Sequence, residues 1–202
     1  MIVASGLAVE GVFRGVGVEA GAGTLTVVAG AARSGRTSVL LTLAGRMKAT
    51  AGSLSVGGHT SPRAIRKVAA LGLVDGVTDF DKALTVGEHL RERRGLWRRP
   101  RRREVVHAEV LAGAGLDVAE REQVRVLGRE GQVRLGVALA LLDAPSVIVV
   151  DNVDAGLPGE RQEAVWGLLR ELSARGLTVV ASCVRPPDRF DQLIDLTAEE
   201  TP

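Results

Sequence analysis

The sequence predicts an α/β fold in which buried strands of a parallel sheet alternate with helices, and three stretches carry that expectation. Residues 146–150 (SVIVV) form a continuous apolar run ending on Asp151, the pattern of a strand covered on both faces. Residues 177–181 (LTVVA) form a second buried strand, after an amphipathic helix over 159–175 that Gly176 closes. Residues 23–41 (GTLTVVAGAARSGRTSVLL) read as strand, glycine-bounded loop and helix in immediate succession.

The remaining elements follow in chain order. Residues 2–29 read as short Val-rich strands broken by Gly11, Gly15, Gly17, Gly21 and Gly23, an antiparallel β-rich entrance. The helix after the loop is expected over 37–48, because it begins with hydroxyl residues and ends with basic ones, as the helix dipole favours. Residues 51–58 give a turn, an alternating strand and another turn, and 68–74 a further buried strand followed by a polar loop to Ala83. Residues 84–116 are helical and split by Pro100, and 127–142 form a second strong helix rich in Leu and Ala. After Pro186 one short helical stretch is expected before the chain turns polar.

A chain of 202 residues suffices for one well-cored α/β domain. No window approaches the roughly 18 uninterrupted apolar residues that a membrane span needs. Residues 1–9 lack the basic start and cleavage pattern of a signal peptide, and Cys183 is the single cysteine, so a cytoplasmic location is expected. The net charge of +2 is too small to argue for nucleic acid, but it is unevenly placed. Arg91, Arg93, Arg94, Arg98, Arg99, Arg101, Arg102 and Arg103 crowd into residues 91–103. The plain reading is a solvated helix end and connector. Attraction to an anionic membrane surface or an acidic partner is the next, with Trp97 as an interfacial anchor. Nucleic acid is the least supported partner, since only five aromatic residues occur and the arginine run lacks a series of interleaved aromatics.

The loop at 30–37, GAARSGRT, fits the phosphate-loop pattern G-x-x-x-x-G-K-[ST] except that Arg36 stands at the lysine. Such a loop aims backbone N–H groups and the positive end of a helix dipole at a phosphate, and its hydroxyl residue can ligate Mg²⁺. Arg36 keeps the charge but replaces a compact ammonium by a planar fork on a longer stem. A glycine-bounded turn between strand and helix is also common as plain structure, so both readings stand on these residues alone.

Four blocks in order resemble the ATPase subunit of an ATP-binding cassette (ABC) transporter. They are residues 12–23, 30–40, 84–88 (LTVGE) and 127–156, and the resemblance extends over about residues 7–196. It implies a P-loop NTPase fold: an ABC-ATPase-like parallel sheet with an antiparallel β subdomain and an inserted helical subdomain at about 77–145, in one nucleotide-binding domain over 1–202. It also implies ATP and Mg²⁺ as cofactors. Gly30, Arg33, Ser34, Gly35, Arg36, Thr37 and Ser38 would surround the phosphates, with Arg36 on the β- and γ-phosphates and Ser38 on the α-phosphate. Thr37 would ligate the metal and Asp151 would hold it through water.

The departures from the family pattern are concentrated at the nucleotide. Its LSGGQ signature corresponds to LGREG at 127–131, or with a shift to GREGQ at 128–132, which brings Glu130 towards a phosphate. Its catalytic glutamate corresponds to Asn152, whose amide can position water but cannot accept its proton at neutral pH. Gly76 falls at the Q-loop glutamine, Val184 at the switch histidine, Pro158 at the D-loop aspartate and Leu7 near the adenine-stacking aromatic. Asp154 and Asp143 are the other carboxylates that could serve in place of the lost one. The resemblance therefore implies an ATP-binding subunit with weak nucleotide binding and little or no hydrolysis, a degenerate or regulatory partner in a membrane transport complex. Its partners would be a membrane permease subunit and a second ABC ATPase, identical or different, and its place the inner face of the cell membrane. The alternatives are an active transporter ATPase using non-standard residues, and a soluble non-transport adaptor or nucleic-acid-associated ABC protein.

Overall fold

A computed structural model describes residues 1–95 and 106–196. The amino-terminal strands are β1 (Ile2–Val9), β2 (Phe13–Ala20) and β3 (Leu25–Ala29), and α1 (Arg36–Leu43) follows the loop. β4 (Ala51–Val56), the short helix α2 (Pro62–Ile65) and β5 (Ala69–Leu71) come next. Helices α3 (Val86–Gly95) and α4 (His107–Gly113), a 3₁₀ turn (Val124–Val126) and α5 (Arg129–Leu141) separate β5 from β6 (Val147–Val150). The chain continues through α6 (Gly159–Ala174), β7 (Thr178–Cys183) and β8 (Gln192–Asp195).

Two sheets result. β1 lies between β2 and β4 in an antiparallel sheet, and a parallel sheet runs in the order β5-β6-β7-β3-β8. Period-two alternation divides β3, β5, β6 and β7 between two cores. On β6, Ile148 and Val150 pack with Leu135 of α5 and Leu169 of α6. Val147 and Val149 face the opposite way, towards Leu40 of α1 and Ile2 and Leu7 of β1. With both faces covered, the strand reads as an unbroken apolar run, as the sequence led us to expect.

Three expectations need correction. β2 runs unbroken through Gly15 and Gly17, and β3 pairs in parallel with β7 and β8 instead of joining the antiparallel entrance. The helix after the loop stops at Leu43, five residues short of Lys48, so Arg46 and Lys48 lie beyond its last turn. Gly45 takes a left-handed φ of 67° there, and the N–H groups of Arg46 and Gly45 return to the carbonyls of Leu41 (2.7 Å) and Thr42 (2.9 Å), a closure that ends helices. The tail after Pro186 carries a strand rather than a helix among its described residues. β3 has a free edge, and residues 192–195 satisfy it by parallel pairing, while Asp191 Oδ2 accepts the Leu25 N–H at 2.7 Å at the entry to β3.

The helical segment between β5 and β6 is anchored by a reciprocal cap. Glu88 Oε2 accepts the Thr85 N–H (2.7 Å) and hydroxyl (2.8 Å), and Thr85 Oγ1 accepts the Glu88 N–H at 3.2 Å. The backbone N–H of Thr85 is the main reason the Glu88 carboxyl sits below its ordinary pKa. Of the arginine run, Arg91 Nε donates to the Gly87 carbonyl (2.9 Å) and Arg93 Nη2 to Asp143 Oδ2 (2.7 Å). Trp97, Pro100 and the five arginines from Arg98 to Arg103 lie outside the described residues. Among those described, no helix is long and apolar enough to cross a membrane.

Candidate functional site

The strand order builds the site. β7 stands between β3 and β6, so the loop leaving β3 and the residue ending β6 flank the carboxyl end of β7, where open α/β sheets hold ligands. Asp151 follows β6 and is fully buried. Its Oδ2 accepts the Thr37 hydroxyl at 2.6 Å, and its Oδ1 accepts the Ser182 hydroxyl from β7. Ser182 Oγ in turn accepts the Asn152 N–H at 2.9 Å. The two residues read as metal ligands thus meet directly.

The loop itself is tightly folded. Gly35 has φ 91°, and a Cβ there would come 2.9 Å from the Val12 carbonyl oxygen. At Gly30 a Cβ would come 2.3 Å from Ser34 Oγ, so only a bare Cα permits that approach. Arg33 is exposed with φ 68°, and Ser38 sits within the first turn of α1. Ser34 Oγ and Arg36 Nη1 are buried without a hydrogen-bond partner among the described residues. Unpaired buried donors are costly. Two of them in one glycine loop at a helix start are the groups a phosphate oxygen would satisfy, so these residues fit a phosphate ligand.

Arg36 is nearly buried, and its Nη2 donates to Asn152 Oδ1 at 2.9 Å. Asn152 Nδ2 donates to Asp75 Oδ2 at 3.1 Å, and Arg129 grips both oxygens of Asp75 at 2.9 and 3.1 Å. Asn152 adopts φ 49°, a left-handed conformation that asparagine tolerates better than most residues. Glu130 is engaged by Arg134 one turn along α5, with Nε at 2.9 Å, so its charge is balanced within the helix.

The other sequence candidates disperse. Asp154 Oδ2 accepts the N–H groups of Val184 (2.8 Å) and Arg185 (3.3 Å), which makes it a tie for the turn after β7, while its Oδ1 is buried unpaired. Val184 is exposed and offers the site no polar side chain. Asp143 pairs with Arg93 beyond the far end of α5 (Arg129–Leu141), roughly 20 Å of helix from Arg129. Gly76 lies in a turn, its N–H shared by both oxygens of Asp79, and Pro158 caps α6. Leu7 is 1% exposed in the core under β1, so it presents no surface to a base. Cys183, at the end of β7, is buried, and burial, followed by the charge of Asp154, pushes its thiol up to about 12.

Sequence reasoning missed Ser182, Asp75 and Arg129. Ser182 carried a readable signal, a hydroxyl at the carboxyl end of a mostly apolar strand that is buried throughout. Asp75 and Arg129 carried none, because only the fold brings them to Asn152.

Residues 13–155 match the sequence profile of the ABC transporter family. The ribose import ATP-binding protein RbsA 2 of Rubrobacter xylanophilus is 30% identical over 182 residues, covering 83% of this chain and 34% of that protein. The Nod factor export ATP-binding protein I of Ralstonia nicotianae is 31% identical over 151 residues, covering 73% of this chain and 46% of that one. The chain thus spans less than half the length of these two curated relatives. Among solved structures, cbiO1 of Clostridium perfringens, part of the ABC transporter complex cbiONQ, superposes with a TM-score of 0.76 at 16% identity, covering 91% of this chain and 78% of that one. That likeness establishes the fold: a P-loop NTPase architecture with the parallel sheet, antiparallel sheet and helices of an ABC cassette. With well over half of its residues inside the profile, the chain belongs to the ABC transporter family.

Proposed function

We propose that this chain is an ATP-binding subunit of an ABC transport complex that binds nucleotide weakly and hydrolyses it little or not at all. The observation that carries the reading is the junction of Thr37 and Asp151 at 2.6 Å beside a carboxamide, Asn152, where the family's reactive carboxylate would stand. Gly30, Arg33, Ser34, Gly35, Arg36 and Ser38 would hold the phosphates of ATP, and Thr37 with Asp151 would hold Mg²⁺. The metal would neutralise phosphate charge. An amide at 152 hydrogen-bonds water without taking its proton. Asp154, tied to the turn after β7, is spoken for by two backbone N–H groups, which favours the weakly hydrolytic reading over an active enzyme with a displaced base.

In this reading residues 1–202 form one nucleotide-binding domain with the helical subdomain at about 77–145. It works as a regulatory partner beside a second ABC ATPase and a membrane permease subunit, at the inner face of the membrane. The relatives named for ribose import and Nod factor export support a transport role without selecting a cargo. The segment 91–103 would meet an anionic lipid surface.

Thermal unfolding with and without millimolar Mg²⁺-ATP tests the reading, with Asp151→Ala as control. Ligand at about 100 times its Kd adds roughly 2.7 kcal/mol, a rise of about 5–10 °C in Tm. A rise abolished by Asp151→Ala, with phosphate release at background, is the expected result. No rise, or turnover comparable to an ordinary ATPase, sinks it.

A further inference from the structure

The cation of the phosphate loop is held by a chain of groups, of which the proposed function leaves Asp75 and Arg129 without a task. Arg36 Nη2 donates to Asn152 Oδ1, Asn152 Nδ2 donates to Asp75 Oδ2, and Arg129 clamps the Asp75 carboxylate with two bonds. The amide can sit only one way round. Asp75 accepts and cannot donate, whereas Arg36 donates and cannot accept, so the amide nitrogen must face Asp75 and the oxygen must face Arg36. The backbone of Asn152 is fixed as well, through its N–H bond to Ser182. Asn152 therefore presents its oxygen to Arg36 in the ligand-free chain.

We propose that Asp75 and Asn152 form an internal competitor for Arg36, so that a phosphate group gains the whole guanidinium only after the Asn152 contact breaks. This rests on the phosphate-site reading above. A guanidinium binds phosphate best through two parallel N–H donors. With one Nη2 N–H on Asn152 and Nη1 unpaired, the guanidinium cannot turn all five of its donors to a phosphate. The apparent Kd then exceeds the intrinsic one by the reciprocal of the fraction of time Arg36 is free. Asn152 competes directly. Asp75 is a positioning residue that acts through the amide, and Arg129 offsets its charge.

The test uses the full chain and two probes, Mg²⁺-ATP and inorganic pyrophosphate, titrated calorimetrically into the wild type, Asn152→Ala, Asp75→Asn and the double variant Asn152→Ala/Arg36→Ala. A hydrogen bond to a charged group has the strength to make Asn152→Ala bind both probes about tenfold tighter. Asp75→Asn should gain a smaller factor, and Arg36→Ala should cancel the gain. A residue that merely braces the fold would bind no better when removed. Binding that is unchanged or weaker in Asn152→Ala, at unaltered Tm, overturns the competitor.

A ligand-free readout separates this failure from that of the underlying site. The ¹⁵N signals of the Arg36 guanidinium should show restrained rotation in the wild type and release in Asn152→Ala. Release without gain, in a wild type that binds the probes, overturns the competitor alone. Release with no binding by any variant overturns the phosphate site and the competitor together, and restraint that persists in Asn152→Ala overturns the competitor directly.

Discussion

The hydroxyl of Thr37 and the carboxylate of Asp151 lie 2.6 Å apart although 114 residues separate them in the chain. Asp151 also accepts from Ser182, so one buried carboxylate serves two hydroxyls from two other elements. Asp151→Ala strands both. It should lower stability by about 2 kcal/mol and Tm by roughly 4–8 °C, read by urea titration and calorimetry. A change under about 0.5 kcal/mol, the range of ordinary surface substitutions, would show that the contact contributes nothing.

Gly30→Ala places a methyl against Ser34 Oγ, 2.3 Å from the ideal Cβ. Overpacking of this kind costs about 1–3 kcal/mol, and the strain falls on the loop proposed to receive the phosphate. Mg²⁺-ATP affinity should drop more than tenfold. Adding Ser34→Gly should restore part of the stability, since the nearest obstructing atom is gone while Leu196 Cβ stays at 3.1 Å, and a double variant as unstable as Gly30→Ala would contradict the geometry.

Base recognition should be nearly absent. Leu7 is 1% exposed and Phe13 is 5% exposed, so neither offers a face to a purine. Stacking on an aromatic ring is worth about 1–3 kcal/mol per base. Without it, ATP and GTP should compete for the site within about threefold of each other. A preference of tenfold or more, measured by displacement, would require a base contact outside this set.

Cys183 should resist alkylation in the native protein at pH 8, because its thiol is buried and pushed up to about 12. Its unfolded counterpart ionises near 9. The native state therefore keeps a proton that the unfolded chain releases above pH 9. Stability contributed by the neutral thiol is complete below that pH and is lost as pH rises from 9 towards 12. Cys183→Ser should flatten this loss in denaturation series across the window, and native-state labelling at pH 8 at the rate of a free thiol would refute the burial.

The parts of this protein that could be read from its sequence are those whose causes are local. The strand, loop and helix around Gly30 and Gly35 state themselves through glycine spacing, and β6 and β7 through apolar runs covered on both faces. Charge alone overextends helix α1, because Arg46 and Lys48 suit a helix end electrostatically, yet Gly45 closes the helix first. β8 is illegible in the sequence because four residues with one buried side chain carry no period, and their strand state comes from the open edge of β3. The chain from Arg36 through Asn152 and Asp75 to Arg129 unites positions up to 116 residues apart. No spacing rule connects such residues, and the motif alignment pointed to Gly76, one position away from the aspartate that makes the contact.

The order of the parallel sheet also imposes a schedule. β3, made early, pairs on one side with β7 and on the other with β8, Leu25 with Val179 and Thr26 with Gln192. During synthesis the strand that bears the phosphate loop must wait for about 150 further residues before either neighbour leaves the ribosome. Contacts so distant in sequence form late and slowly. The nascent chain thus carries an unpaired apolar strand, open to pairing with other nascent chains, until nearly all of the protein described here has been made.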